Sequence, residues 1–412
     1  MTSAPQKAET RLPAEDPTWA EIVWGQFRKR KIAYASMWGV LTLFFVAVYV
    51  PVFIADKPFV WNAGEGWEFP WLATMFDRSV YPSGIDLFFN TLLVFGTLLA
   101  LPLTFVWRKT AARPRRERAA LRRKWVLGAG IAWLTCLTGV LAMDVQRPEI
   151  WYGEIEEKLE AEGRAPISAW PLVRLSPGDT DVMATMAPPS SEHLLGTDSA
   201  GSDVFTRLLY GTRVSLTVGI FAVAIYCTFG TIIGAIAGFF GGRVDTILMR
   251  VVEVVICIPS LFLVLAVAAF IPERSIFHIM FIIAVVAWTG PARLVRAEFL
   301  RLRELDFVAA ARAAGFSKGQ IIFQEILPNA IGPVLVSATF GVASAILIES
   351  TMSFLGLGDA SVPSWGQILA TGRANSSWVL ILAPGFAIFL TVSLLNLLGE
   401  GARDALDPKL RS

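Results

Sequence analysis

Eight predominantly apolar runs divide this chain of 412 residues, at approximately 32–54, 86–107, 125–143, 214–240, 246–271, 276–292, 329–354 and 378–398. Each is close to the roughly 20 residues that a helix needs to cross the hydrocarbon core of a bilayer. Hydrophobic residues make up 54% of the chain, above the roughly 45–50% usual in soluble domains. The expected fold class is therefore all-α, a polytopic transmembrane helical bundle of about eight spans.

Where the charges fall sets the expected orientation. The net charge is only +2, so no global basic field points to nucleic acid. Arg28-Lys-Arg-Lys31 precedes the first run, and residues 108–124 carry nine basic residues against one acidic. A third basic stretch, 296–328, holds Arg296, Arg301, Arg303, Arg312 and Lys318. Under the positive-inside rule all three lie in the cytoplasm, and with eight crossings both termini do as well.

The chain then divides into a cytoplasmic segment 1–30, a first span 31–54, an extracytoplasmic loop 55–85 and a helical pair 86–143. A second extracytoplasmic loop, 144–213, is followed by a core 214–398 and a cytoplasmic tail 399–412. The loop 144–213 has an acidic excess in Glu154, Glu156, Glu157, Glu160 and Glu162, with a helix expected at 153–162. Pro5, Pro13 and Pro17 interrupt a polar N-terminus that lacks the blocks of a cleavable signal, so insertion is expected to use the first span. Cys136, Cys227 and Cys257 all lie in apolar runs, and His193 and His278 stand apart, so neither a disulfide framework nor a metal site is expected.

Between two spans lies the polar, Ala-rich segment 306–328. Ala309, Ala310, Ala311, Ala313 and Ala314 favour helix and allow another surface to approach closely. Gly315 suits the left-handed residue that ends a helix. Ser317-Lys-Gly-Gln320 has the form of a capping box, so a second short helix is expected to run to Ile326, before Leu327-Pro328. Such a helix-turn-helix outside the bilayer implies movement of a solute driven by a partner. The chain has no G-x-x-x-x-G-K-[ST] phosphate loop, so the energy is expected to come from another subunit.

Ala310-Ala311, Gly315 and Leu327-Pro328 resemble, in order and spacing, the EAA loop of permease subunits of ATP-binding-cassette importers. Ala309 stands where that family often has glutamate. Four further blocks are similar to the second permease subunit of the dipeptide and oligopeptide permease family. They are Leu195-Gly-Thr-Asp198 leading through Gly201-Ser-Asp203 to Arg207–Leu216, then Ser353–Gly358, Pro363-Ser-Trp-Gly366 and Arg403–Pro408. Together they cover about residues 190–410, and Lys57 to Trp71 looks like the branch with microcin-type peptide permeases.

The resemblance implies a type I importer permease fold, with a six-span core to which 86–143 is an inserted pair. It implies a multi-pass transport subunit of the bacterial inner membrane that is not itself an enzyme. The implied partners are a second permease, two ATPase subunits that bind ATP and Mg, and an extracytoplasmic solute-binding protein, with membrane lipid around them. No cofactor is expected on this chain. Short peptides or peptide-like compounds are the implied cargo; nickel, glutathione and opine permeases share the same blocks.

The resemblance assigns Ala309, Ala310, Ala311, Arg312, Gly315, Leu327 and Pro328 to ATPase coupling, with Ala311 on the docking face. It makes Gly196, Thr197, Asp198, Gly201 and Asp203 part of an outer gate or binding-protein docking block; their spacing does not suit a calcium loop.

Ionisable groups within spans are costly. Arg250 and Glu253 sit three apart and can pair. Glu349, beside Ser350 and Ser353, either lines the pathway or bonds across helices, and Pro259 and Trp288-Thr-Gly-Pro291 interrupt two runs where a gate could hinge. Two rival classes remain: an ion-coupled carrier, which needs carboxylates near the midplane, and a membrane scaffold or sensor.

Overall fold

A buried guanidinium holds three of the helices together. In the computed structural model, which describes residues 19–64, 66–111, 113, 115–148, 150–271 and 275–406, Arg213 is fully buried. The described chain is built from helices α1 (Trp19–Lys29), α2 (Lys31–Phe53), α3 (Gly84–Thr110), α4 (Arg115–Ala142), α5 (Tyr152–Ala161) and α6 (Val204–Phe240). There follow α7 (Gly242–Cys257), α8 (Ser260–Ala269), α9 (Ile276–Ala287), α10 (Thr289–Leu302) and α11 (Asp306–Ala313). The last three are α12 (Lys318–Phe354), α13 (Trp365–Ala374) and α14 (Trp378–Leu406). Pro5, Pro13, Pro17 and the Asp407-Pro408 end of the last sequence block lie outside the described residues.

Among the described residues, six helices are long and apolar enough to cross a membrane: α2, α3, α4, α6, α12 and α14. Two bent pairs raise the number to eight: α7 with α8, at 88°, and α9 with α10, at 44°. The bends fall at Pro259 and at Trp288–Pro291, where proline and its neighbours interrupt the backbone ladder.

Several boundaries differ from those expected of the sequence. Helix α6 starts at Val204 rather than 214, because Asp203 caps it by accepting a hydrogen bond from the Thr206 N–H at 2.7 Å. A hydropathy scan halts at Arg213, but this charge is inside the fold. Helix α10 continues past 292 to Leu302, and α14 past 398 to Leu406. In α10 the added turns bury Val295, Phe299 and Leu302. Those of α14 hold Gly401 against Ala33 and place Asp404 3.0 Å from Arg30, joining the two ends of the described chain.

Glycines decide how closely α6 and α10 approach. A Cβ at Gly230, Gly234 or Gly238 would lie 2.6 Å from the Trp288 carbonyl oxygen, 2.4 Å from the Ala292 carbonyl oxygen or 2.6 Å from the Phe299 Cβ. This spacing of four residues is the small-residue stripe that lets membrane helices pack backbone to backbone.

Outside the helices, strands β1 (Val60–Asn62) and β2 (Ile167–Ala169) pair antiparallel with Trp61 opposite Ser168. The edge of the Trp61 ring meets Tyr152 of α5 at 5.2 Å, and Lys57 Nζ donates to the Ile150 carbonyl at 3.0 Å. The loops before α3 and after α4 thus form one platform.

The guanidinium of Arg213 explains how α3 is attached. Its Nε donates to the Ala47 carbonyl of α2 at 2.8 Å, while Nη1 and Nη2 reach Asp86 and Asn90 of α3, each at 2.9 Å. The rings of Phe89 and Tyr210 lie 5.4 and 5.2 Å from the cation. Helix α3 is therefore part of the core, whereas α4 is peripheral, with only 6% of its apolar stretch buried. Losing one partner of a buried ion pair costs about 3–5 kcal/mol, since the other charge is left uncompensated. Asp86→Ala is expected to destabilise the purified chain by that amount and Asp86→Asn by less. Thermal unfolding in detergent checks this; an Asp86→Ala variant that melts with the parent would remove Arg213 as the attachment point.

Candidate coupling loop and buried polar clusters

Local chemistry builds the loop between α10 and α12. Helix α11 ends in a Schellman motif: the Gly315 N–H bonds the Arg312 carbonyl at 3.0 Å and the Phe316 N–H the Ala311 carbonyl at 3.1 Å. Gly315 has φ +82°, and a Cβ there would meet nothing within 4 Å, so backbone conformation alone demands glycine. The capping box is present: the Ser317 N–H donates to Gln320 Oε1 at 2.8 Å, and the Gln320 N–H to Ser317 Oγ at 3.3 Å.

Beyond the capping box the chain departs from the expected short helix. No break occurs at Leu327-Pro328; the backbone passes through a π turn, Ile321–Ile326, straight into the long span. Pro328 would bring its ring against the Gln324 carbonyl in a regular α-helix, and the wider π turn around Gln324 relieves that crowding.

The loop has an inner and an outer face. Val308 and Ala311 are buried with Phe299, Leu302, Ile321 and Ile326 in one apolar cluster. Ala309, Ala310, Arg312 and Gly315 are exposed, as is Pro328, while Leu327 is half-buried. Ala311 consequently packs the loop against its own span and is not on the docking face expected for it. The outer face is unusually apolar for a polar segment, with Phe307, Phe316 and Phe323 exposed.

Three cations fasten this unit to the bundle. Arg296 of α10 makes a two-bond fork to Asp245 of α7, its Nη2 at 2.6 Å, and Arg303 Nη1 donates to the Gly238 carbonyl of α6 at 2.9 Å. Lys318 Nζ lies 5.7 Å from the centre of the Phe240 ring. Bidentate Arg–carboxylate geometry is directional, so these bonds fix how α10 sits against α6 and α7.

Glu349 is fully buried, accepting hydrogen bonds from Ser353 Oγ at 2.8 Å and Ser350 Oγ at 3.4 Å, with Ser364 as a further partner. Close packing seals the cluster: a Cβ at Gly366 would lie 2.2 Å from the Ser350 carbonyl oxygen, and Trp365 Nε1 donates to the Leu208 carbonyl at 2.8 Å. The bonds to Ser350 and Ser353 stay within α12, and Ser364, the N-cap of α13, is the partner from another element. Pro259 is not with it; it is exposed at the bend between α7 and α8. Arg250 and Glu253 do pair, at 2.7 Å, on the exposed side of α7.

The outer block turns its side chains inward. Thr197 Oγ1 donates to the Ala184 carbonyl, Asp198 accepts from Ala200 N at 2.8 Å, Ser202 N at 3.0 Å and Arg207 Nη1 at 2.6 Å, and Asp203 caps α6 while meeting His193 Nδ1 at 3.0 Å. Gly196 and Gly201 have positive φ, and a Cβ at Gly201 would lie 1.9 Å from the Asp181 carbonyl oxygen. These five residues hold the loop's shape; they do not present a docking surface of their own.

Two constellations had no role assigned from sequence. Arg213 lay within the quoted block Arg207–Leu216, and the available signal was a pair of opposite charges, Asp86 and Arg213, each at the edge of an apolar run. Asp245 and Arg296 are separated by 51 positions, and no local pattern links them.

The sequence profile of the family described as "Binding-protein-dependent transport system inner membrane component" matches residues 230–412. A dipeptide transport system permease protein of Alkalihalophilus pseudofirmus is 42% identical over 245 residues, covering 58% of this chain and 80% of the relative. An oligopeptide transport system permease protein of Haemophilus influenzae is 43% identical, covering 57% of this chain and 76% of the relative. A probable D,D-dipeptide transport system permease protein of Escherichia coli is 40% identical, covering 59% and 82%. A solved structure of the MetNI methionine ABC transporter in inward-facing conformations aligns with 49% of this chain and 97% of that chain, at 15% identity and a TM-score of 0.38. With four-fifths of a dipeptide permease matched at 42% identity, the chain belongs to the binding-protein-dependent inner-membrane permeases, in the group that holds the dipeptide and oligopeptide ABC transporter permease proteins.

Proposed function

We propose that this permease forms a translocation path for short peptides or peptide-like compounds together with a second permease, and that ATPase subunits drive it through α11. The observation that carries this reading is the two-faced loop. Val308 and Ala311 anchor α11 to α10 and α12, while Ala309, Ala310 and Arg312, flanked by exposed Phe307 and Phe316, offer a small-residue and aromatic surface to a partner. Exposed apolar side chains next to a rigidly held helix are what a docking groove buries. Ala309, where the family often has glutamate, supplies space rather than charge.

In this mechanism ATP and Mg bind the partner subunits, whose closure displaces α11. The Arg296–Asp245 fork and the Arg303–Gly238 bond pass the displacement to α7 and α6. The 88° and 44° bends are where the paired segments can turn against each other, and the exposed α7 face with Arg250 and Glu253 is the surface offered to the second permease. A solute-binding protein would deliver cargo to the platform of β1, β2 and α5. The peptide cargo is supported by relatives whose names refer to dipeptides and oligopeptides. An ion-coupled carrier needs an accessible carboxylate in the span, and the burial of Glu349 weighs against it.

Orientation, coupling and cargo are separately measurable. In a cysteine-free variant, a single cysteine at Lys318 should label from the cytoplasm and one at Glu157 from outside; external labelling at Lys318 would reverse the orientation. Ala310→Trp on the outer face should leave insertion intact yet lower ATPase copurification and uncouple ATP turnover from uptake. Gly315→Leu should do the same by straining the left-handed turn at a cost of about 1 kcal/mol or more. If both variants bind ATPase and transport like the parent, α11 is not the coupling element. Cells lacking the chain should resist toxic peptides, and unchanged sensitivity with impaired nickel accumulation would replace the cargo.

A further inference from the structure

The lipid-facing side of the inserted pair contains a groove of about 410 Å³ between α3 and α4, lined by Leu99, Pro102 and Leu103 on one wall and by Leu121, Gly128 and Ala132 on the other. At 1.5 Å per residue, the α4 wall from Leu121 to Ala132 runs for about 16 Å, the length of a stretched acyl chain of medium size. Its floor is shaped by missing side chains. A Cβ at Gly128 would meet nothing within 4 Å, so no contact inside the protein explains a glycine there.

Charge is concentrated at one end of this groove. Lys124 and Trp125 line it toward the turn, where exposed Arg108 and Lys109 end α3; Arg123, also exposed, follows Leu121 by two positions and lies on the opposite face of α4. Arg122 is turned away, donating to the Trp107 carbonyl at 3.0 Å with its guanidinium 4.7 Å from the Trp107 ring. Among the described residues, Lys124, Arg108 and Arg123 have no carboxylate partner. Cations of this kind beside a span attract anionic headgroups, and an indole is at home at the same depth.

We propose that this helical pair is a binding site for an anionic membrane phospholipid, with one acyl chain in the groove along Gly128 and Ala132 and the headgroup phosphate at Lys124. The inference rests on the membrane-spanning reading of α3 and α4 and is independent of cargo. An apolar partner helix would fill the groove but leave the cations unmatched, whereas a phospholipid satisfies both ends with one molecule.

The test is native mass spectrometry of the full purified chain, delipidated and then offered phosphatidylglycerol or phosphatidylcholine. The parent should retain phosphatidylglycerol in preference. Gly128→Leu and Ala132→Leu, which fill the groove without touching a charge, should lower retention of both lipids. Lys124→Gln should weaken phosphatidylglycerol alone, by about fivefold, whereas Arg123→Gln, on the opposite face of α4, should leave it near the parental level; an equal loss from both overturns the site. Equal retention of the two lipids by the parent, or parental retention by the groove variants, overturns the proposal. Peptide uptake can fail or persist in any of these variants without altering the reading.

Discussion

The Arg213 guanidinium is the fixed point of this bundle. A charge placed within a membrane protein is tolerated only when partners surround it, and here the partners come from three segments: Ala47 of α2, Asp86 and Asn90 of α3, and the helix α6 that carries the arginine. Lipid provides no hydrophobic force between helices, so directional contacts of this kind decide which helices become neighbours. Asn90 extends the network by donating to the Met75 carbonyl at 2.8 Å, and Tyr210, stacked by the cation, reaches the Ile54 carbonyl at 3.0 Å. Helices α2, α3 and α6 are thus held to one another on that side by a single side chain.

The second device is close backbone packing. Gly230, Gly234 and Gly238 bring α6 against α10, and Gly358 and Gly366 close the Glu349 cluster in the same way. The two devices have different tolerances. A polar network can exchange one partner for another, whereas a glycine with a backbone atom 2.4 Å from its missing Cβ admits no side chain at all. The tightest packing lies along α6, α10 and α12; α7 is tied to it by the Arg296–Asp245 ion pair, and α11 by the apolar contacts of Val308 and Ala311.

Much of this was legible in the sequence, for a physical reason in each case. Apolar runs of span length gave the helices, because lipid enforces that length. Gly315 and the Ser317–Gln320 box gave the loop's turn, because left-handed φ and orphan N–H groups allow few residue types. The peptide-permease blocks gave the family. Side-chain direction was not legible: Ala311 reads like its neighbours Ala309 and Ala310 but faces inward, and the Gly196–Asp203 block is buried in its own loop. Helix ends were missed wherever a charge stopped the scan, as at Arg213, since hydropathy cannot distinguish a charge in water from one enclosed by partners.

The continuity of α12 has a mechanical meaning. With no break at Pro328, one rod of 37 residues runs from the coupling loop to the Ser353 end of the Glu349 cluster, about 55 Å at helical rise. A rod that tilts about its middle carries its two ends in opposite directions. If the proposed docking at α11 tilts this rod, widening on the loop side and narrowing at the far side become one movement. The π turn at Ile321–Ile326 is the wider and less regular segment of this rod, and it lies at the loop end.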